Sequence, residues 1–417
     1  MSKLSELIAQ LCPDGVPKYY VGDICDISRG RVMSKDYIRE NEGEYPVYSS
    51  QTENNGELGR ISTFDFDGEY LTWTTDGANA GTVFYRNGKF SITNVCGLLK
   101  VMKKDLLTKY LYYTLNTEAP KYVSSGMGNP KLMSNVMARV SIQVPPLEVQ
   151  REIVRILDNF TELTAELTAE LTARKAQYAY YQDKLLTRSA GTIHTLGECC
   201  MSIADGDHQP PPKADSGVPF ITISNFTENG IDFTDTKFVP QEYYDKLDKK
   251  RRAQKDDILY SVVGSFGIPV HITEDKPFVF QRHIAILRPN VEMIAPRYLY
   301  HVMKSDAFYK KADAAAIGAA QRTISLSALN RMKISVPSLE VQERLVRVLD
   351  NFDAICTDLN IGLPAEIEAR KKQYEFYRDQ LLTFAETGKT ILTDRQTDRQ
   401  TDRQTDRQTD RQTSIMP

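Results

Sequence analysis

The chain has 417 residues, a formal charge of −3, 41 % hydrophobic and 26 % charged residues, a composition that suits an ordinary globular protein of two or more domains. Near-neutral charge excludes a uniformly basic nucleic-acid coat, although a local positive surface still acts within a Debye length of ~8–10 Å. Six scattered cysteines form no CxxC and no zinc spacing, and no run approaches the ~20 apolar residues of a membrane span. We therefore expect reduced thiols, no metal site, no membrane contact and a cytoplasmic protein.

Residues 1–17 read as a short amphipathic helix on Leu4, Leu7, Ile8 and Leu11, stopped by Pro13 and Gly15. From 18 to 146, short β-type runs such as Tyr70–Thr74 and Thr82–Tyr85 alternate with Asn-Gly and Asp-Gly turns. A short helix at 109–116 and a closing strand at 140–144 complete a mixed α/β domain. A long helix follows over 147–190, with apolar residues at steps of three and four. A helix of this length needs a long partner to bury its apolar face. A second α/β domain, 191–337, repeats the landmarks of the first but not its turns and loops. A second helix occupies 338–386. Pro364 should break or kink it, or start a resumed helix. The tail, 387–417, repeats Thr-Asp-Arg-Gln five times from Thr393 and has nothing apolar to pack in the repeats, so it reads as disordered. The repeat is encodable as a tetranucleotide tract prone to slippage, which predicts phase variation; an invariant tract length across single-colony isolates would count against it.

The two helices are copies of one another. LEVQREIVRILDNF (147–160) returns as LEVQERLVRVLDNF (339–352), and RKAQYAYYQDKLLT (174–187) as RKKQYEFYRDQLLT (370–383). Only the first copy carries the tandem TAEL units, Thr164–Leu167 and Thr168–Leu171. Each unit lengthens a helix by about 6 Å. A shared frame with unlike loops is the pattern of one fold presenting two different recognition surfaces.

These helix motifs, alternating with two variable domains, resemble the DNA-specificity (S) subunit of type I restriction-modification enzymes over residues 1 to about 386. The resemblance implies an α/β (α+β) fold class: two similar target-recognition domains alternating with two long helices, paired as an antiparallel coiled coil with pseudo-twofold symmetry. It implies that each domain reads half of a split target on double-stranded DNA. It implies two methyltransferase (M) subunits docked on the helices, and motor-nuclease (R) subunits joining them. S-adenosylmethionine, ATP and Mg2+ would be used by those partners, with no cofactor in this chain. The residues agree, because no methyltransferase NPPY/F motif, glycine-rich cofactor loop or P-loop is present and no catalytic residue stands out. An autonomous DNA-modifying enzyme, and a coiled-coil DNA-binding regulator or tether with no enzyme partner, are the alternative readings.

The unlike loops supply the candidate DNA contacts, since Arg and Lys suit guanine and phosphate, and Asn and Gln suit adenine. In the first domain these are Arg29, Arg31, Ser50, Asn54, Asn55, Thr75, Asn79 and Lys131. In the second they are Asp207, His208, Gln209, Asn225, Lys250, Arg251, Arg252, Ser265, Arg282, His283, Gln321 and Arg322. Lys250, Arg251 and Arg252 belong to the densest positive run, which is equally readable as a solvated face balanced by nearby aspartates. Tyr178, Tyr181, Tyr374 and Tyr377 are expected to pack between helices. Glu148, Gln150, Gln342 and Arg347 read as helix-surface residues, either contacts for partner subunits or surface positions without a function.

Overall fold

The entrance and exit of each variable segment are tied together by a short antiparallel ribbon. Lys18–Tyr20 pairs with Ser141–Gln143, and Thr192–Thr195 pairs with Lys333–Val336. The computed structural model describes residues 3–124, 128–188, 191–206, 210–227, 230–318, 322–358 and 360–384; Asp207, His208, Gln209, Gln321 and the TDRQ tail lie outside them. The chain divides into two units, Met1–Thr164 with Arg370–Pro417, and Ala165–Ala369. Both boundaries fall inside helices, one within the first TAEL tetrapeptide and one at the head of the second RK-x-QY block. Each long helix therefore gives one end to each unit.

In the first unit a six-stranded sheet runs in the order Cys25–Arg29, Cys96–Val101, Phe66–Thr74, Val83–Ile92, Glu42–Tyr48, Glu57–Ile61. All pairs are antiparallel except Glu42–Tyr48 beside Val83–Ile92. Trp73 is fully buried and lies flat against Gly97, where an added Cβ would stand 2.3 Å from the indole. Its Nε1 donates to the Leu132 carbonyl at 2.9 Å. The Thr108–Glu118 helix buries Tyr110, Leu111 and Leu115 in the same core as Val149, Ile153, Ile156 and Leu157 of the first long helix. The N-terminal helix, Lys3–Leu11, joins that core through Leu4, and Lys3 pairs with Glu152 at 3.3 Å. Phe160 stacks on Tyr377 with ring centroids 5.4 Å apart.

In the second unit a four-stranded sheet runs Cys200–Asp205, Ile284–Pro289, Ile258–Ser261, Pro269–His271, beside a three-stranded sheet, Lys237–Val239, Val218–Ile221, Val279–Phe280. Its one parallel pair, Val218–Ile221 with Val279–Phe280, echoes the parallel pair of the first unit. The Pro296–Lys304 helix buries Tyr298, Leu299 and His301. Phe352 stacks between Tyr178 and Tyr181 at 6.1 and 6.3 Å, and Cys356, one turn on, lies in the field of Arg174 and Lys175. The first and second helices therefore run in opposite directions here, held by aromatic packing.

The first long helix is continuous from Leu147 to Arg188, as expected from apolar positions spaced mostly three and four apart. The second stops at Thr357 and resumes as Leu363–Leu382, with Pro364 in the first turn where its missing N–H loses no bond. Gly362 makes the link possible. A Cβ there would stand 2.5 Å from the Ala354 carbonyl.

The LEVQ glutamines turn out not to be surface residues. Gln150 and Gln342 are both 0 % exposed. Gln150 accepts from the Leu107 amide (2.9 Å) and donates to the Asp105 and Pro145 carbonyls (2.8 and 2.7 Å). Gln342 repeats the set with the Ala295 amide (2.8 Å) and the Met293 and Pro337 carbonyls (3.0 and 2.8 Å). One amide side chain thus satisfies three backbone groups where the variable domain meets its helix.

Candidate nucleic-acid interface

In the first unit the candidate residues gather around the short connection Thr93–Val95. The Val95 carbonyl accepts from Ser50 Oγ (2.6 Å) and Thr75 Oγ1 (2.7 Å), and the Thr75 amide donates back to Ser50 Oγ (3.0 Å). Asn79 Nδ2 donates to Thr52 Oγ1 at 2.9 Å. Lys131 is exposed and its backbone bridges Asp76. Arg29 is exposed, with Nε donating to Ser134 Oγ at 3.2 Å. Arg31 bridges Thr93 through its backbone, while its guanidinium pairs with Asp65 at 3.1 Å and stacks on Tyr37. The Tyr37 hydroxyl and Asp65 raise its pKa against a smaller effect of burial. Thr75 differs from the expectation. It is only 2 % exposed, so its hydroxyl fixes the loop and does not face solvent.

The turn at Glu53–Gly56 has three successive left-handed residues, Asn54 (φ 47°), Asn55 (φ 53°) and Gly56 (φ 79°). Asn tolerates this conformation better than other side chains, although each L-residue there still costs about 1–2 kcal/mol. Both asparagine side chains are exposed. Sequence reasoning missed the residue below this turn, Arg86. It sits on a strand interior and is 3 % exposed, and burial pushes its guanidinium below the ordinary arginine range.

In the second unit, Ser265, Arg282, His283 and Arg322 come together. The Val262 amide donates to the His283 carbonyl (2.9 Å), and the Gly264 amide to the Arg322 carbonyl (3.0 Å). Ser265 and Arg282 are exposed. Arg322 is half-buried, paired with Asp313 and lying over Phe266. The positive run is split in use. Lys249 and Lys250 are exposed, whereas Arg251 lies 3.8 Å from Asp205. Arg252 turns inward, with Nε on the Leu247 carbonyl (3.1 Å) and its plane over Tyr244. Arg252 therefore shapes its own segment. Asn225 also differs from the expectation. It is 8 % exposed, accepts from the Thr222 amide (2.9 Å) and donates to the Asp232 carbonyl (3.1 Å), so it organises the loop it belongs to. Among the described residues no cluster of three or more His, Cys, Asp or Glu is arranged to hold a metal ion.

Two heads of one frame with unlike polar loops, each fixed to a shared pair of helices, agree with what is found in known proteins. The family model for the type I restriction modification DNA specificity domain matches twice, at residues 13–174 and 202–369. A Mycoplasma pneumoniae protein named as a type I specificity subunit is 36 % identical over 387 residues, covering 89 % of this chain and 98 % of that one. The type I restriction enzyme MpnII specificity subunit of the same organism is 52 % identical over 171 residues, 40 % of this chain and 52 % of that one. Among solved structures, the S subunit of a type I system from M. genitalium matches with a TM-score of 0.51 at 18 % identity, over 88 % of this chain and 95 % of that one. A chain from a study of type I system assembly and conformational transition matches with a TM-score of 0.60 at 15 % identity, over 89 % and 98 %. At these identities the structures speak for the fold. The paired family match and the near full-length relative show that the chain belongs to the type I restriction-modification DNA specificity family.

Proposed function

We propose that this chain is the non-catalytic specificity subunit of a type I restriction-modification complex. Its first head reads one half of a split double-stranded DNA target, and its second head reads the other half. Two methyltransferase subunits dock on the helices and methylate adenine with S-adenosylmethionine, and motor-nuclease subunits use ATP and Mg2+ to translocate and cut. The protein acts in the cytoplasm; among the described residues no helix is long and apolar enough to cross a membrane.

The observation that carries this reading is the repeated attachment of unlike loops. Gln150 and Gln342 make the same three bonds, yet the loops that carry the candidate contacts differ in sequence between the two heads. Evolution of a second catalytic site would preserve loop residues between the copies; two different readers need only a common mount. Exposed basic and amide side chains at the loops, Arg29, Asn54, Asn55, Lys131, Lys250 and Arg282, suit phosphate and base-edge contacts. The candidates outside the described residues, Asp207, His208, Gln209 and Gln321, belong to the same proposal.

Co-expression with the cognate methyltransferase, followed by long-read methylation mapping, tests it. One split motif with methylated adenine is the expected result. A soluble partner that leaves no methylated motif would sink the reading, and methylation by the purified chain alone would move it to the enzyme class.

A further inference from the structure

We infer that Arg86 is a positioning residue for base selection by the first head, holding the Asn54–Asn55–Gly56 turn in the left-handed shape that presents both asparagines. The inference rests on the reading that this head contacts DNA. Arg86 lies on the Val83–Ile92 strand opposite Tyr70. Its guanidinium stacks on Tyr48 at 3.5 Å and faces Phe84 at 4.6 Å. Nε donates to Thr72 Oγ1 at 3.0 Å, and Nη2 donates to the Asn55 carbonyl at 2.8 Å. One rigid fork thus ties the turn to the sheet. A Cβ placed on Gly56 would lie 3.0 Å from Nη2, so the turn rests directly on the guanidinium.

Arg86 is a poor choice for stability alone. Nη1 has no hydrogen-bond partner, and no ion pair joins Arg86 to a carboxylate of the described residues. A buried, unneutralised cation is unfavourable, and an apolar side chain would fill an aromatic slot better. What the arginine supplies is register. It fixes the carbonyl of Asn55, and with it the direction of the Asn54 and Asn55 side chains. Neither asparagine side-chain amide has a hydrogen bond inside the described protein, and an amide pair of this kind is suited to adenine N6 and N7. Lysine cannot replace the fork, because a single ammonium is a point donor without the planar two-way geometry.

The test is methylation mapping of the full chain co-expressed with its methyltransferase, for wild type, Arg86→Met, Arg86→Lys and the double variant Asn54→Gly/Asn55→Gly. The double variant keeps a backbone that accepts the left-handed turn but removes the amides. Both Arg86 variants should relax one or two positions in one half-site only, with methylation of near-cognate sites rising about tenfold or more. The double variant should relax the same positions, and the other half-site should stay intact in all of them. An unchanged motif, or uniformly weaker methylation of an unchanged motif, would overturn the inference, since a merely stabilising arginine gives that result. If the Arg86 variants give no methylation, the double variant decides: a relaxed half-site supports the assignment and an unchanged motif overturns it. A wild-type chain without a split motif would instead remove the reading on which the inference stands.

Discussion

The two units mount their heads in the same way but finish the joint differently. Tyr110 donates to the Gln143 carbonyl at 3.0 Å, and its counterpart Tyr298 donates to the Ser335 carbonyl at the same distance. Asp158 and Asp350, from the repeated LDN, both accept from the head helix. In the first unit the donors are Lys109 (2.6 Å) and the Tyr113 phenol (2.7 Å). In the second they are Arg297 (2.6 Å) and the His301 imidazole (2.7 Å). A carboxylate only accepts, so His301 carries its proton on Nε2, and Nδ1 accepts from the Tyr178 hydroxyl at 3.3 Å. The helices differ in cover as well. Val149 and Ile156 are 0 % and 8 % exposed, in a core shared with the N-terminal helix. Their counterparts Val341 and Val348 are 36 % and 44 % exposed. The frame is thus duplicated in its polar anchors and not in its apolar covering.

The largest expected contrast lies in that covering. Ile156→Ala should destabilise the first unit by about 3 kcal/mol, whereas Val348→Ala should change stability by under ~0.5 kcal/mol. Urea unfolding of the two variants measures the difference, and equal losses would show that the second helix is covered in solution. The anchors should behave alike. Gln150→Leu and Gln342→Leu each leave a buried amide and two carbonyls unpaired, a loss of about 2–3 kcal/mol. If only one of the pair is costly, the mounts are not equivalent.

A smaller effect separates the joints by pH. Burial lowers the His301 pKa, and nearby Arg297 lowers it further, while Asp350 and Asp353 oppose them. A group whose pKa is lower in the folded state binds more protons when unfolded, so stability falls as pH drops below ~6.5. Asp350, itself held below the usual carboxylate range by His301 and Arg297 against the effect of burial, loses stability in the same direction at lower pH. The Tyr113 phenol is pushed upward by burial and by Asp158, so the first joint has no counterpart to the imidazole step. Unfolding followed between pH 5 and 7.5 should show a slope that shrinks in His301→Gln. His271, also lowered chiefly by burial, contributes a residual slope of the same sign. An unchanged slope in the variant would place the titration elsewhere.

Much of this was legible because it is written twice. Duplicated blocks gave the long helices and Pro364 gave the break in the second, but the turn reading was only half right: Asn55-Gly56 and Asp76-Gly77 lie in loops, whereas Asp67-Gly68 and Asn87-Gly88 lie inside the paired strands Phe66–Thr74 and Val83–Ile92. Thr75 and Asn225 were misread because their polarity matches a DNA contact as well as a loop brace, and only burial separates the two. Gln150 and Gln342 were misread for a related reason. A glutamine in the first turn of a helix carries no mark of the loop that will land on it. Arg86 left no signal at all, since an arginine at an inward strand position is read as an exception until its partners are known.

The claim that the first long helix separates two reading heads is tested most directly by removing one TAEL unit, Thr168–Leu171, and mapping methylation with the cognate methyltransferase. Four residues remove about 6 Å of helix, against ~3.4 Å per base pair. The expected motif keeps both half-sites and loses one or two base pairs of gap. An unchanged gap with full methylation, or a change in the bases of either half-site, would contradict the account.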